Sequence, residues 1–597
     1  MVDLLFRHDN FRPGQDKIIS DVWATLKSNK NIVFSAGTGM GKTDSALSPA
    51  LTYALNNDLT VFFLTPKNSQ HQIALDCIEA LCKKYDLSIG VVDFVGKRNL
   101  CLNEDVKDKT DFYRVCSAKV KKGKCSYYNN SKSWAQFTGV LSEKKIFSQA
   151  EVIRVSEEEK LCAYETAVSA SKTARVIIAD YNHIFAPSIR ESFLKKTGKK
   201  LENSIIIIDE LHNLPQRMRD HQSAAINDQT FEKARRETEL NAEATGVIYE
   251  IEKQFAEIKQ KGIAANGELA IPKTELKVEP QWSEILFDAG EFYLEKEKDA
   301  SRSAVVKLGE FLELWTDSGD EHTRLWQYGD LSVKCLDPSP LTSVVNQARN
   351  VIGMSGTLHP IEMYIDLLGF DKMKTVTRTF GSTFNTENKG NVIMDNVTTK
   401  YDQRSEEMYD KIASNIRNTV EAMNGEVAIF FPSYVIQKTI LSRLQQGNNA
   451  FGPKYFVQVE GMAAKDTKQL IDDFRKARGV LCGVIGGSLS EGIDYNDQEI
   501  KCIIIVGLPL VEMNSEQKAL IEYYDKKFKR GMDYGYMYPC MNKVLQASGR
   551  GIRSEKDKCI ILYMDARYSN PYYKRCFPPG TNFKVSNEPW KHFEEFF

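Results

Sequence analysis

Residues 204–212 read SIIIIDELH, and no other stretch restricts the fold of this 597-residue chain more tightly. Four consecutive isoleucines leave a strand no polar face, so it must be covered on both sides, as in a parallel sheet lying between helices. Asp209 and Glu210 follow at the carboxyl end of that strand, where open α/β sheets hold their ligands. Two adjacent carboxylates there suit a metal ion and an activated water. Asp209 would hold a Mg²⁺ shell, and Glu210 would orient or deprotonate the attacking water. His212 reads either as a packed side chain or as a link to an opposing domain.

The complement of this turn lies upstream in residues 31–43, NIVFSAGTGMGKT. An apolar run leads into a small-residue turn (Ala36, Gly37, Thr38, Gly39, Met40, Gly41) and then Lys42 and Thr43. Backbone N–H groups and a helix N-terminus can cradle phosphates there, with Lys42 on the β/γ charge and the Thr43 hydroxyl on Mg²⁺. Ala36 stands where such loops usually begin with glycine, a mild departure because a small residue suffices. Residues 546–553, QASGRGIR, space Gln546, Arg550 and Arg553 at i, i+4 and i+7. That spacing predicts one helix face carrying two arginines toward the developing charge of a γ-phosphate. Residues 483–495, GVIGGSLSEGIDY, follow another apolar run and place Gly492 and Asp494 to meet nucleotide from a second domain.

Length predicts three to five folding units at about 100–200 residues each. A formal net charge of −1 gives the chain no global attraction to a polyanion, so any basic surface must be local. The N-terminal MVDLLFRHDNFR carries Asp3 and lacks a long apolar core, so it does not read as a secretion signal. The apolar runs fall far short of the roughly 20 residues that span a bilayer. Twelve cysteines then read as intracellular thiols rather than a disulfide scaffold. The expected location is the cytoplasm, or the nucleus where the source has one, with no membrane partner.

Spacing adds an independent constraint. A βαβ unit takes about 30 residues, yet 166 positions separate Thr43 from Asp209 and another 145 separate Glu210 from Ser355. Two sizeable insertions must interrupt the first domain. The first holds Cys101, Cys116, Cys125 and Cys162, with 14, 8 and 36 residues between them. Cys77 and Cys82 lie earlier, in the helix-like HQIALDCIEALCKKY, where the stripe Ile73, Cys77, Leu81 reads as core. Four thiolates match zinc or an iron–sulfur cluster. The lack of a C-x2-C pair favours the larger cluster, which can collect ligands from several loops; four unrelated buried thiols are the alternative on spacing alone. From Lys97 to Cys125 there are nine Lys/Arg against four acids, interleaved with Phe112 and Tyr113 and followed by Tyr127 and Tyr128. That mixture is either a solvated face or a path for single-stranded nucleic acid.

The second insertion is predicted to be helical. Ile248, Ile251, Phe255 and Ile258 form one stripe, Val305, Leu308, Leu312 and Trp315 another, and residues 262–280 read as a loop between them. The terminal PWKHFEEFF predicts a packed helix rather than a sliding-clamp peptide, since Trp590 stands where such peptides place glutamine.

Taken along the chain, FRPGQ, AGTGMGKT, LTPKNSQ, VGKRNLC, DELH, VKCLDPSPL, MSGTL, FFPSY, GGSLSEGID and QASGRGIRS resemble the superfamily two helicases, and more narrowly the XPD helicase family. The resemblance implies an α/β fold of two RecA-like parallel-sheet motor domains with ATP between them. The first would be interrupted by a small iron–sulfur domain and a mainly helical Arch. The expected boundaries are 1–88, 172–214 and 348–378 for motor domain 1, 89–171 for the cluster domain, 215–347 for the Arch and 379–597 for motor domain 2. It further implies Arg12 and Gln15 on the adenine side, and a [4Fe–4S] cluster on Cys101, Cys116, Cys125 and Cys162. Ala163 stands where the family usually has proline. Strand contacts are expected at Thr65, Arg98, Tyr181 and Ser433, Arg98 having a second possible role toward the cluster. The implied activity is ATP-dependent 5′-to-3′ helicase action on single-stranded DNA and on fork or bubble duplex, in repair of the nucleotide-excision kind. The protein would act as a monomer, with possible repair-protein partners. A DinG-type helicase and a DNA-stimulated ATPase serving as a scaffold are the alternatives, the RNLC and CLDPSP stretches favouring XPD over DinG.

Overall fold

The computed structural model describes residues 4–37, 39–109, 111–134, 145–297, 302–381, 388–424, 426–445, 453–490, 500–552 and 557–596. Before the second insertion come strands β1 (Asn31–Ala36), β2 (Thr60–Thr65), β3 (Val91–Phe94), β4 (Ile146–Phe147), β5 (Val176–Asp180) and β6 (Ser204–Ile208). The insertion carries β7 (Ala224–Ile226), β8 (Glu268–Ala270), β9 (His322–Gln327) and β10 (Asp330–Cys335), after which β11 (Asn350–Ser355) and β12 (Thr375–Phe380) return to the first domain. The first sheet runs β12-β1-β11-β6-β2-β5-β3-β4, with every pairing parallel. The isoleucine strand β6 sits near its centre with Ile205–Ile208 fully buried, as a strand without a polar face requires. Strands β3 and β4 lie inside 89–171, the stretch expected to form a separate cluster domain, yet both pair into this sheet's edge; β12 likewise crosses the expected boundary at 378. Short apolar strands of this kind are buried by joining the existing sheet.

The second parallel sheet is built from β13 (Lys389–Met394), β14 (Val427–Phe431), β15 (Tyr455–Val457), β16 (Val480–Val484), β17 (Cys502–Val506), β18 (Cys559–Met564) and β19 (Lys584–Val585), in the order β15-β16-β14-β17-β18-β13-β19. Its central strands VAIFF, CIIIV and CIILYM are buried throughout. One apolar cluster continues from the first sheet through Tyr364 to Tyr524, Tyr534 and Met541 and on to the second sheet, so the two domains share a buried seam. Phe593 closes the chain's last short helix onto the second domain, with Trp590 and Phe596 against the same core, as the terminal sequence predicts. Among the described residues no helix is long and apolar enough to cross a membrane.

In the second insertion both predicted stripes are buried, on helices Ala242–Ala264 and Ala304–Asp317, where they form the module's own core. The sequence reading missed its four-stranded antiparallel sheet, β7-β10-β9-β8, one strand of which lies in the expected loop. The β9–β10 hairpin turns at Tyr328 and Gly329, both with positive φ (52° and 90°), the conformation that two-residue hairpin turns require. This module reaches the second domain along the helix Ser515–Phe528. Glu268 accepts hydrogen bonds from the Ser515 amide and hydroxyl, Arg219 donates to Tyr524 at 2.9 Å, and Asp337 accepts from Tyr523 and Lys527.

Gly262, inside the helix Ala242–Ala264, is where Trp326 lands: a Cβ there would lie 2.1 Å from the indole Cδ1. Alanine gains up to about 1 kcal/mol of helix propensity, but overpacking a closed core costs about 1–3 kcal/mol, so the clash outweighs the propensity. Gly262→Ala is expected to lower the urea midpoint of this module, as followed by tryptophan fluorescence; an unchanged or raised midpoint would contradict the packing described.

Candidate active site

The small-residue loop at 36–41 turns between β1 and the helix Lys42–Asn57. Gly39 (φ 82°) and Gly41 (φ 70°) take left-handed backbone, and a Cβ on Gly41 would meet Gln15 Nε2 at 2.3 Å, so glycine is needed there twice over. Residues Arg12 and Gln15 brace this loop: Arg12 Nη1 donates to the Gly39 carbonyl at 2.7 Å and Gln15 Nε2 to that of Gly41 at 3.3 Å. Ala36 and Met40 are buried beneath the turn, Gly37 and Thr43 are half-buried, and Thr38 lies outside the described residues. Lys42 opens the helix, its Nζ 3.7 Å from where a Cβ on Gly356 would stand. A helix N-terminus, a left-handed glycine turn and a lysine make a ready anion site.

The Asp209–Glu210 turn faces it from the end of β6. The Asp209 amide donates to Leu64 of β2 at 2.9 Å, and the Glu210 amide donates to Asp209 Oδ1, also at 2.9 Å. Glu210 itself is left-handed (φ 47°, ψ 46°). Its carboxylate accepts from Ser355 Oγ at 3.0 Å and lies 3.3 Å from His212 Nδ1, which is also 2.7 Å from Ser355 Oγ. Thus His212 closes a three-residue network with the end of β11. Burial and the neighbouring Glu210 push the Asp209 carboxyl above the usual carboxylate range. Against the same burial, His212, Lys42 and Ser355 hold Glu210 below it. A cation beside Asp209 would remove the first of these effects.

From the second domain, Gln546 reaches the first: its Nε2 donates to Thr357 Oγ1 at 3.3 Å. The expected single helix face is corrected here. The helix Tyr538–Ser548 stops at Gly549, so Arg550 lies beyond it and donates through Nε to the Ser490 carbonyl at 3.0 Å. Gly549 is the cap at which that helix ends. Arg553, Gly492 and Asp494 lie outside the described residues. Ser355 and Thr357, of the MSGTL stretch, were given no role by the sequence reading; only the strand order, β11 beside β6, reveals theirs.

The four cysteines come from four elements. Cys101 follows the turn Lys97–Leu100, Cys116 lies in the helix Phe112–Lys121, Cys125 precedes the helix Ser126–Trp134, and Cys162 is the N-cap of the helix Ala163–Thr173. Three of them, Cys101, Cys116 and Cys162, lie near Lys97. Although burial disfavours its charge, the Cys116 and Cys162 thiols hold the Lys97 amine above its usual range, with a hydrogen bond to Cys116. Cys101 in turn feels Cys116 and Cys125. Burial pushes the Cys162 thiol up to about 11. Among the described residues no group of three or more His, Cys, Asp or Glu closes on a single metal ion. Four thiols from separate elements, with half-buried Lys97 near three of them, match the donor chemistry of a soft, anionic iron–sulfur group. Cys77 is fully buried as predicted, but the helix His71–Tyr85 buries Ala74, Cys77, Ile78 and Leu81, while Ile73 is 51% exposed and faces away.

Much of the local basic excess has protein partners. Arg114 lies over the Phe287 ring at 3.8 Å and beside Glu291, Lys122 pairs with Glu295, Lys119 with Asp105 at 2.7 Å, and Arg98 Nε donates to the Lys107 carbonyl at 3.1 Å. Arg114 and Lys122 tie the cysteine segment to helix Trp282–Lys296 of the second insertion. Two expected strand contacts are corrected. Thr65 is fully buried with its hydroxyl on the Lys67 carbonyl, and Tyr181 is 3% exposed with its hydroxyl on backbone carbonyls of the Asp209–Glu210 turn. Neither side chain is open to a strand. Arg98 is exposed, and Ser433 is half-buried at the end of β14, its hydroxyl accepting from the Ile436 amide at 3.3 Å.

Two family models match the chain, DEAD_2 over residues 66–231 and the helicase C-terminal domain over residues 416–581. The chain is 24% identical over 586 residues to the ATP-dependent DNA helicase XPD of Sulfolobus acidocaldarius, covering 94% of this chain and 97% of that one. It is 23% identical to the ATP-dependent DNA helicase chl1 of Schizosaccharomyces pombe, covering 89% and 72%. Among solved structures it is similar to an XPD helicase (TM-score 0.69, 20% identity, 97% of this chain and 100% of that one) and to S. tokodaii Xpd4 (TM-score 0.62, 16% identity, 96% and 100%).

Proposed function

This chain belongs to the XPD/CHL1-type helicase family, and on that premise we propose that it is an ATP-driven motor that moves 5′ to 3′ on single-stranded DNA and opens fork or bubble duplex in excision-type repair. The observation that carries this reading is the meeting at one seam of Lys42, the Asp209–Glu210–Ser355 turn and Gln546 of the second domain. The loop amides of residues 36–41 and Lys42 take the phosphates, with Arg12 and Gln15 on the adenine side. Thr43 and Asp209 would hold Mg²⁺, which when bound would supply positive charge to the phosphates. Glu210 aligns a water, accepts its proton as the water oxygen bonds to the γ-phosphorus, and ADP leaves with the electron pair of the broken P–O bond. Gln546, Arg550 and Arg553 meet the transferring phosphoryl charge as the domains close, and Gly492 and Asp494 meet the nucleotide from the second domain.

The domain reading is that of the sequence, with β3 and β4 added to motor domain 1. Cys101, Cys116, Cys125 and Cys162 would hold a [4Fe–4S] cluster, which when bound would tie their four elements into one rigid unit. Arg114 and Lys122 join that unit to the Arch, and exposed Arg98 and Tyr113 with Ser433 line the strand's route. The protein acts as a monomer in the compartment that holds its DNA. Strand displacement by the purified protein tests the reading; ATP hydrolysis stimulated by DNA without displacement would favour the scaffold alternative.

A further inference from the structure

We propose that Tyr181 is a positioning residue for ATP hydrolysis: its hydroxyl holds the Asp209–Glu210 turn in the one backbone conformation that aims the Glu210 carboxylate into the site. This rests on the reading of that site as an ATPase centre. Glu210 is left-handed without being glycine, a conformation that costs about 1 kcal/mol or more and persists only where its surroundings enforce it. The turn supplies part of that enforcement, through the Asn213 amide on the Glu210 carbonyl at 2.9 Å. The remainder comes from Tyr181, whose hydroxyl is shared between the carbonyls of Asp209 and Glu210, the latter at 3.0 Å.

These two carbonyls flank the φ and ψ rotations of Glu210. Consecutive carbonyls point the same way, and so reach one donor, when the residue between them is helical in sense; in extended backbone they point oppositely. A single hydroxyl touching both therefore excludes an extended Glu210. The opposite end of the side chain is fixed by Ser355 Oγ at 3.0 Å. With both ends pinned, the carboxylate keeps its direction through the cycle.

Sheet topology explains why the residue must be tyrosine. Tyr181 follows β5, and β2 lies between β5 and β6. From beyond the end of β5 the hydroxyl reaches past the intervening strand to the turn after β6, a distance that the short side chains of serine and threonine cannot span. Its own anchorage is firm, since the Ile184 and Phe185 amides donate to its carbonyl at 3.1 and 2.9 Å.

Tyr181→Phe keeps the ring and removes the hydroxyl alone. The expected result is a fall of about tenfold or more in kcat for DNA-stimulated ATP hydrolysis, with KM for ATP and affinity for a single-stranded oligonucleotide within about twofold. Combined with Glu210→Gln, the substitution should add no further loss, because the group it positions is gone. Unchanged kcat, additive losses in the double variant, or parallel losses of ATP and DNA affinity would each overturn the proposal. A wild-type protein without ATPase activity would overturn the site reading and the brace with it. An active wild type with a fully active Tyr181→Phe would overturn the brace alone.

Discussion

Replacing Lys42 by alanine lowers DNA-stimulated ATP hydrolysis by about 10³-fold, roughly 4 kcal/mol of barrier, while affinity for single-stranded DNA stays within about twofold. The size follows from position. Lys42 is the first residue of the helix that receives the phosphates, and its ammonium sits across from the Asp209 and Glu210 carboxylates. Its charge therefore balances phosphate oxygens in the transition state. The loop itself does not depend on Lys42, since Arg12 and Gln15 brace the Gly39 and Gly41 carbonyls independently. Loss of turnover without loss of fold is thus the expected outcome, read by steady-state phosphate release and by circular dichroism. Normal hydrolysis by Lys42→Ala would remove the basis for placing ATP at this seam.

The second large effect concerns iron. Protein purified without oxygen is expected to be coloured and to carry about four irons per chain, and Cys125→Ser to lose both the colour and most of the iron. Serine offers a hard alkoxide to a soft metal site. Because each cysteine arrives from a separate element, no neighbouring thiol of the same loop can replace Cys125. A bound cluster would also contribute folding energy, so the variant's cysteine segment should become protease-sensitive while the distant sheets persist. Cys335→Ser is the control: Cys335 ends β10 in the second insertion, its thiol on the Asp337 carbonyl, and the variant should keep its iron. A colourless wild-type protein with one zinc per chain would contradict the cluster and leave the motor untouched.

How far each part was legible depends on whether its physics is local. SIIIIDELH and AGTGMGKT announce themselves because a double-faced apolar strand and a left-handed glycine turn are properties of a few adjacent residues. The spacing argument located both insertions for the same reason: chain length alone demanded them. What failed depends on neighbours that sequence does not order. Tyr181 and Thr65 stand at strand ends, where strand contacts were expected, but their hydroxyls are used inward on backbone carbonyls. Ser355 meets Glu210 only because β11 lies beside β6. Arg550 left its expected helix face because Gly549 ends the helix one residue earlier. The second insertion's sheet was missed because β9 and β10 are six residues each, short beside the helical stripes that dominate that segment. The four cysteines were collected by spacing and resemblance together, and the nearness of Cys116 and Cys162 to Lys97 was visible from neither.

The most direct test of the account is strand displacement on two duplexes that differ only in the polarity of a single-stranded tail, with purified protein, Mg²⁺ and ATP. Displacement of the duplex bearing a 5′ tail, abolished by Lys42→Ala and absent for the 3′-tailed duplex, is the expected result. Displacement from the 3′ tail alone would contradict the assigned direction, and hydrolysis of ATP with displacement of neither duplex would contradict the motor itself.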